Sequence, residues 1–98
     1  MPNIIKQALA EQDLVNIWLY SWEEWGEIQA DQYLDALEQV FNLLAEQPLL
    51  GRERKEFTPV VRTHVHAHHL VVYQTTENGI RLIRVLHKSM DIDARLGL

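Results

Sequence analysis

The spacing of apolar residues changes along the chain, and each change marks a new structural element. Asn3 to Lys6, centred on Ile4 and Ile5, reads as a short strand. From Ala10 the period becomes helical. Leu14, Ile17, Trp18 and Trp25 fall on one face, and Gly26 is a natural stop because glycine accepts the backbone angles that end a helix. A second helix follows, with Ala30, Tyr33, Leu34, Leu37, Val40, Phe41 and Leu44 at steps of three and four, ending before Pro48. So few residues join the helices that they should form an antiparallel hairpin.

Beyond a basic loop from Gly51 to Pro59 the pattern becomes that of strands. Val60 to Val65 is one, and His69 to Thr75, rich in β-branched and aromatic residues, is a second. Asn78-Gly79 signals a tight turn, since both residue types accept positive φ, and Ile80 to His87 is the third strand. In it, strict alternation puts Arg81, Ile83, Val85 and His87 on one face and Leu82, Arg84 and Leu86 on the other. Apolar groups on both faces place this strand inside the sheet. The order β-α-α-β-β-β predicts one α+β domain over residues 1–98, a helical hairpin packed on a small antiparallel sheet.

Composition narrows the function classes. A chain of 98 residues builds a single core, and without cysteine it has no disulfide framework and no thiolate metal or redox site. The first ten residues lack both the charged and the apolar segment of a secretory signal, and every apolar run falls short of the ~20 residues of a membrane span. The expected location is therefore cytoplasmic, with no membrane partner. The net charge of −5 is unevenly spread: residues 1–50 carry −8, with Lys6 their only base, and residues 51–98 carry +3. Such segregation suggests two faces with different partners, or simply two solvated acidic helices, and the acidic total disfavours bulk nucleic-acid binding.

Several local strings, in order, resemble the ParE/RelE toxin superfamily. Asp13-Leu14 with Ile17 looks like its first-helix signature, and Trp25-Gly26 with Gln29 and Tyr33 looks like its helix junction. Leu44-Ala45, Pro48, Gly51 and Arg52 resemble a connecting stretch, and Arg62, His69, Val72 and Tyr73 resemble its paired strands. The most specific string is Ile83-Arg84-Val85-Leu86-His87-Lys88-Ser89-Met90-Asp91, similar to the ending of ParE proteins. The resemblance implies the toxin of a type II toxin–antitoxin pair, neutralised by a ParD-like antitoxin, that poisons DNA gyrase by binding. The superfamily's other branch cleaves messenger RNA on the ribosome. Where the resemblance would place that branch's arginines, this chain has Leu70 and Ser89, and no tyrosine follows Tyr73. Neither residue steadies developing negative charge on phosphate, so the gyrase class is expected over an mRNA endoribonuclease. A homologue that is no longer toxic and serves as a binding partner is a further alternative.

No catalytic residue, cofactor or metal site is expected. His64, His66 and His68 would share a face on a straight strand and three imidazoles can hold zinc, but the resemblance puts a turn near His66 to His68 that scatters them. His87 has no Ser-His-Asp order around it, the only serines being Ser21 and Ser89, and is expected to lack a nearby nucleophile. Trp18 and Trp25 are expected in the core, and Trp22 at the edge of the stripe is free to touch a partner. Arg84, in mid-strand, either pairs with a carboxylate or joins a recognition groove that Arg62 could share. Trp22, Arg62 and Arg84 are thus the candidate antitoxin contacts. The candidate gyrase surface is the C-terminal end, His87, Lys88, Met90, Asp91, Arg95, Leu96 and Leu98. There a cation, a thioether and an exposed-looking apolar tail suit recognition better than packing.

Overall fold

The computed structural model describes residues 2–90 and 92–96. Its elements run β1 (Asn3–Lys6), α1 (Ala8–Trp25), α2 (Glu27–Glu46), β2 (Arg52–Arg54), β3 (Val61–His66), β4 (His69–Thr76), β5 (Gly79–His87) and a short α3 (Ile92–Arg95). Helices and strands fall as the periodicity predicts, in an α+β domain. The basic loop contributes one strand that alternation did not reveal, since Arg52, Glu53 and Arg54 carry no apolar signal. It pairs antiparallel with β3 at the end of the sheet, whose order is β1-β5-β4-β3-β2. β1 returns to lie beside β5 in parallel register, Ile4 opposite Ile80, so the sheet is mixed and not purely antiparallel. β5, as expected, is flanked on both sides.

A single residue joins the helices. Gly26 has φ of 90°, donates its N–H to the Trp22 carbonyl and accepts from Ala30, closing one helix and opening the next. The inner stripe of α1 is Ala10, Leu14, Ile17 and Ser21, spaced by four, three and four. This corrects the core assignment of two tryptophans. Trp25 is 51% exposed, and Trp18, about 100° round the helix from Ile17, is half-buried with Nε1 donating to Asp31 Oδ1 at 2.8 Å. Trp22 is exposed as expected.

The sheet buries both faces. Ile17, Leu37, Phe41 and Leu44 of the helices meet Val71, Tyr73, Ile80, Leu82 and Val85 on one side. On the other, Phe57 and Val61 pack with Val72 and Leu86, and Ile92 and Leu96 of the C-terminal turn close over them. Strict alternation along β5 fails in the middle. Val72 pairs with Arg84 but Tyr73 pairs with Leu82, so Ile83 is an extra residue, a β-bulge. Leu82 and Val85 consequently share the helix-facing core, and Ile83 and Leu86 share the back. The bulge rotates everything after it, including His87, to the face opposite the one that simple alternation assigns.

Leu37 is fully buried where α2 crosses the sheet. We predict that Leu37→Ala lowers stability by about 2–5 kcal/mol, read as a fall in the urea midpoint at unchanged m-value.

Candidate functional site

The family-like strings of the sequence meet in pairs in three dimensions. Asp13 on α1 takes the Arg84 guanidinium bidentately, at 2.7 Å from Nε and 2.9 Å from Nη2, and its Oδ2 also accepts the Val85 backbone N–H at 2.9 Å. Both side chains are largely buried, and Asp13 raises the Arg84 pKa chiefly through this hydrogen bond. Tyr73, fully buried, donates its hydroxyl to the Pro48 carbonyl at 2.7 Å and accepts the Gly51 N–H at 2.8 Å. Any side chain at Gly51 would run into the Tyr73 ring, which is why the loop needs glycine there. Arg62 completes the clamp by donating to the carbonyls of Gly51 at 2.8 Å and Leu49 at 3.4 Å.

Between α1 and the end of β5 lies an open cleft of about 430 Å³, lined by Asp13, Asn16, Tyr20, His69, His87 and Met90 among others. Its floor continues into a cluster of imidazoles. The β3–β4 turn falls at Ala67-His68, with Ala67 at φ 51° and His66 paired to His69. His64, His66 and His68 therefore do not lie along one straight strand. Instead His68 stacks on His87 (6.4 Å between centroids, 4° between planes), His69 meets His87 edge-on at 5.6 Å, and Tyr33 of α2 contacts both His66 and His69. Among the described residues no group of three or more His, Cys, Asp or Glu side chains is arranged to hold a metal ion. Tyr33 Oη lies 2.6 Å from His69 Nδ1, a contact suited to a neutral ring that accepts the phenol proton. Burial, reinforced by the neighbouring His87, His68 and His66, depresses the His69 pKa from 6.5 to about 4, against a smaller upward pull from Asp13.

One expectation about His87 is overturned. Ser89 Oγ is 2.7 Å from His87 Nδ1, and the Ser89 N–H donates to the same nitrogen at 3.2 Å. The contact spans two residues and is built like a side-chain-capped turn that orients the ring toward the cleft.

The candidate recognition residues divide by location. His87 and Met90 line the cleft, and Lys88, exposed beside it, donates its backbone N–H to the His68 carbonyl. Arg95 is exposed on the opposite side, where its carbonyl accepts from Arg84 Nη1 at 3.3 Å. Leu96 is not an exposed anchor: it is half-buried against the back of the sheet, because Phe57, Val72 and Leu86 present an apolar surface that the C-terminal turn covers. Asp91 and Leu98 lie outside the described residues. Trp22, Arg62 and Arg84 do not come together, since Trp22 is on the outer face of α1 and both arginines are committed to internal partners. Asp13 and Tyr73 were visible chiefly as family-like marks and Tyr33 also as part of the apolar stripe of α2, and nothing in the sequence revealed what they hold.

His69 is half-buried and neutral when folded but titrates near 6.5 when unfolded. The unfolded chain thus binds more protons between pH 6.5 and about 4, and stability from this group is complete above that window and lost as pH falls through it. His69→Gln is expected to flatten the fall of Tm across this interval relative to wild type. Parallel Tm profiles would show that the group does not contribute.

The family model for "ParE toxin of type II toxin-antitoxin system, parDE" matches residues 4–92. Toxin ParE1 of Mycobacterium tuberculosis is 36% identical over 88 residues, covering 89% of this chain and 90% of that protein. Toxin ParE1 of Caulobacter vibrioides is 37% identical over 90 residues, covering 90% and 91%. A solved structure described as a chromosomal ParDE toxin–antitoxin system from P. aeruginosa superposes with a TM-score of 0.73 at 18% identity, covering 89% of this chain and 96% of that one, and thus shares the fold. With the family's marks paired across the fold and the match running nearly end to end, this chain belongs to the ParE toxin family of type II toxin–antitoxin systems.

Proposed function

We propose that the chain is a toxin that inhibits DNA gyrase by binding it and is held inactive by a ParD-like antitoxin. The observation that carries the reading is the chemistry of the cleft. Among its described lining residues there is no lysine or arginine, and Asp13 contributes a carboxylate. The nearest guanidinium, Arg84, is already neutralised by that carboxylate. A phosphoryl-transfer site needs cations or aimed donors where charge develops, and this cleft offers a polar, aromatic and thioether surface suited to gripping a protein. His87, Lys88 and Met90 form the part of the proposed target surface that is exposed at the cleft rim.

The imidazole pair favours one second reading. His69 and His87 sit 5.6 Å apart with each Nδ1 beside a hydroxyl, an arrangement with the elements of paired acid–base groups, as a metal-independent mRNA endoribonuclease would need. With no lysine or arginine among the described lining residues, it ranks below gyrase binding.

Controlled expression in a bacterial host separates the two. Growth arrest with accumulation of gyrase-linked cleaved DNA is expected, and cleavage of translated messages without DNA damage would replace the first reading by the second. His87→Ala, Lys88→Ala and Met90→Ala, combined, are expected to weaken gyrase poisoning at least about tenfold with Tm unchanged within about 2 °C.

A further inference from the structure

Two cavities meet at one pair of imidazoles. The 430 Å³ cleft and a second cavity of about 220 Å³, lined also by Trp25 and Tyr33, share Tyr20, His69 and His87. His69 and His87 stand directly opposite each other on β4 and β5, so both rings leave the same face of the sheet, toward the helices. Their hydrogen bonds fix which nitrogen is left for a ligand. Tyr33 Oη accepts the His68 backbone N–H, and its own proton has His69 Nδ1 as acceptor at 2.6 Å. On His87, the Ser89 N–H can only donate, and it does so to Nδ1 at 3.2 Å, with the Ser89 hydroxyl at 2.7 Å from the same atom. Each Nδ1 is thus an acceptor, and in the neutral ring the proton sits on Nε2.

Among the described residues neither Nε2–H has a protein acceptor, and no fully buried side-chain nitrogen lacks a partner, so both donors are open to solvent. Each ring is held by a neighbour of its own, Tyr33 from α2 or Ser89 from the turn after β5, so both donors are in place before a ligand arrives. The surrounding charges point to an acid as that ligand. From α1, Asp13 is the sole carboxylate among the described lining residues, and both its oxygens are taken by Arg84 and the Val85 N–H. α2 contributes the Tyr33 phenol, β3 and its turn contribute His66 and His68, and Lys88 follows β5 at the rim. A hydrogen bond to a carboxylate is about twice as strong as one to a neutral carbonyl. A phosphodiester backbone is the poorer match, because its binding rests on several lysines or arginines.

We infer that the Nε2–H groups of His69 and His87 form a two-donor subsite for a carboxylate, the acidic side chain by which the target protein enters the cleft. This rests on the gyrase reading above and adds to it the atoms that grip and the chemistry that is gripped.

The test uses the full chain with isotopically labelled histidine, followed by nitrogen NMR at neutral pH, and purified gyrase. Acetate is the probe acid, with chloride at equal ionic strength and a short DNA duplex as its comparisons. Each Nδ1 is expected to give the signal of a bare nitrogen and each Nε2 that of a protonated one, and acetate alone is expected to shift both Nε2 signals saturably. His69→Phe and His87→Phe keep a flat ring and remove the donor, and each is expected to bind gyrase at least about tenfold more weakly. His69→Gln and His87→Gln, whose amide nitrogen reaches the Nε2 position, are expected to stay within about threefold of wild type. Circular dichroism checks folding, and the exposed His87 keeps the comparison decisive should His69→Phe not fold. Gyrase binding that the folded phenylalanine variants retain would overturn the subsite and leave the gyrase reading standing. Nε2 signals that follow acetate in a chain that ignores gyrase would retire the gyrase reading and keep a carboxylate subsite. Protons found on Nδ1, an equal response to chloride, or glutamine variants as weak as the phenylalanine ones would overturn the two-donor assignment. Shifts caused by the duplex and not by acetate would put phosphate there instead.

Discussion

The carboxylate of Asp13 is the point at which the layers of this domain are joined. β1 ends at Lys6, and the Gln7 N–H makes the last backbone bond from that side, to the Leu82 carbonyl. Beyond it, the Val85 backbone N–H of β5 is taken by Asp13. The same carboxylate holds Arg84, whose remaining nitrogen reaches the Arg95 carbonyl of α3. One guanidinium thus links the helix in front of the sheet to the C-terminal turn behind it. A buried ion pair of this kind repays its desolvation only with good geometry and further hydrogen bonds, and Asp13 has both.

The bulge at Ile83 sits where this junction needs it. Inserting one residue brings Val85 and His87 to the helix side, so the last strand ends by presenting His87 to the cleft instead of to the back of the sheet. At the other end of the sheet, Tyr73 and Arg62 fasten the Pro48–Gly51 connection, which sets where α2 stops and β2 begins. Between these two fixed ends the histidine cluster packs against Tyr33. The recognition surface proposed for gyrase, the cleft rim, lies between the anchored helix α1 and the end of β5.

Much of the fold was legible because its elements obey simple periods. Leu37, Phe41 and Leu44 announce α2, Asn78-Gly79 announces the last hairpin, and the apolar groups on both faces of Ile80–His87 announce an interior strand. What escaped has physical causes. β2 is an edge strand of charged residues whose backbone pairing leaves no apolar trace. The bulge breaks a period of two without any glycine or proline to mark it, so the faces of β5 beyond Leu82 were inverted. Trp18 and Trp25 are large and apolar, yet they lie off the inner stripe. Around the cleft, the sequence reading named His87, Lys88 and Met90 but not the residues the fold brings beside them. Tyr33, His69 and His87 are far apart in the chain, and only the helix–sheet crossing brings them together.

The most direct test of this account is a double-mutant cycle on the central pair, with Asp13→Ala, Arg84→Ala and the double variant followed by urea unfolding. Each single change is predicted to cost about 3–5 kcal/mol by stranding a buried charge. The double variant should cost less than the sum by at least about 1 kcal/mol, well beyond the scatter of independent sites. Costs that simply add within about 0.5 kcal/mol would contradict the claim that the two side chains hold the layers together as one unit.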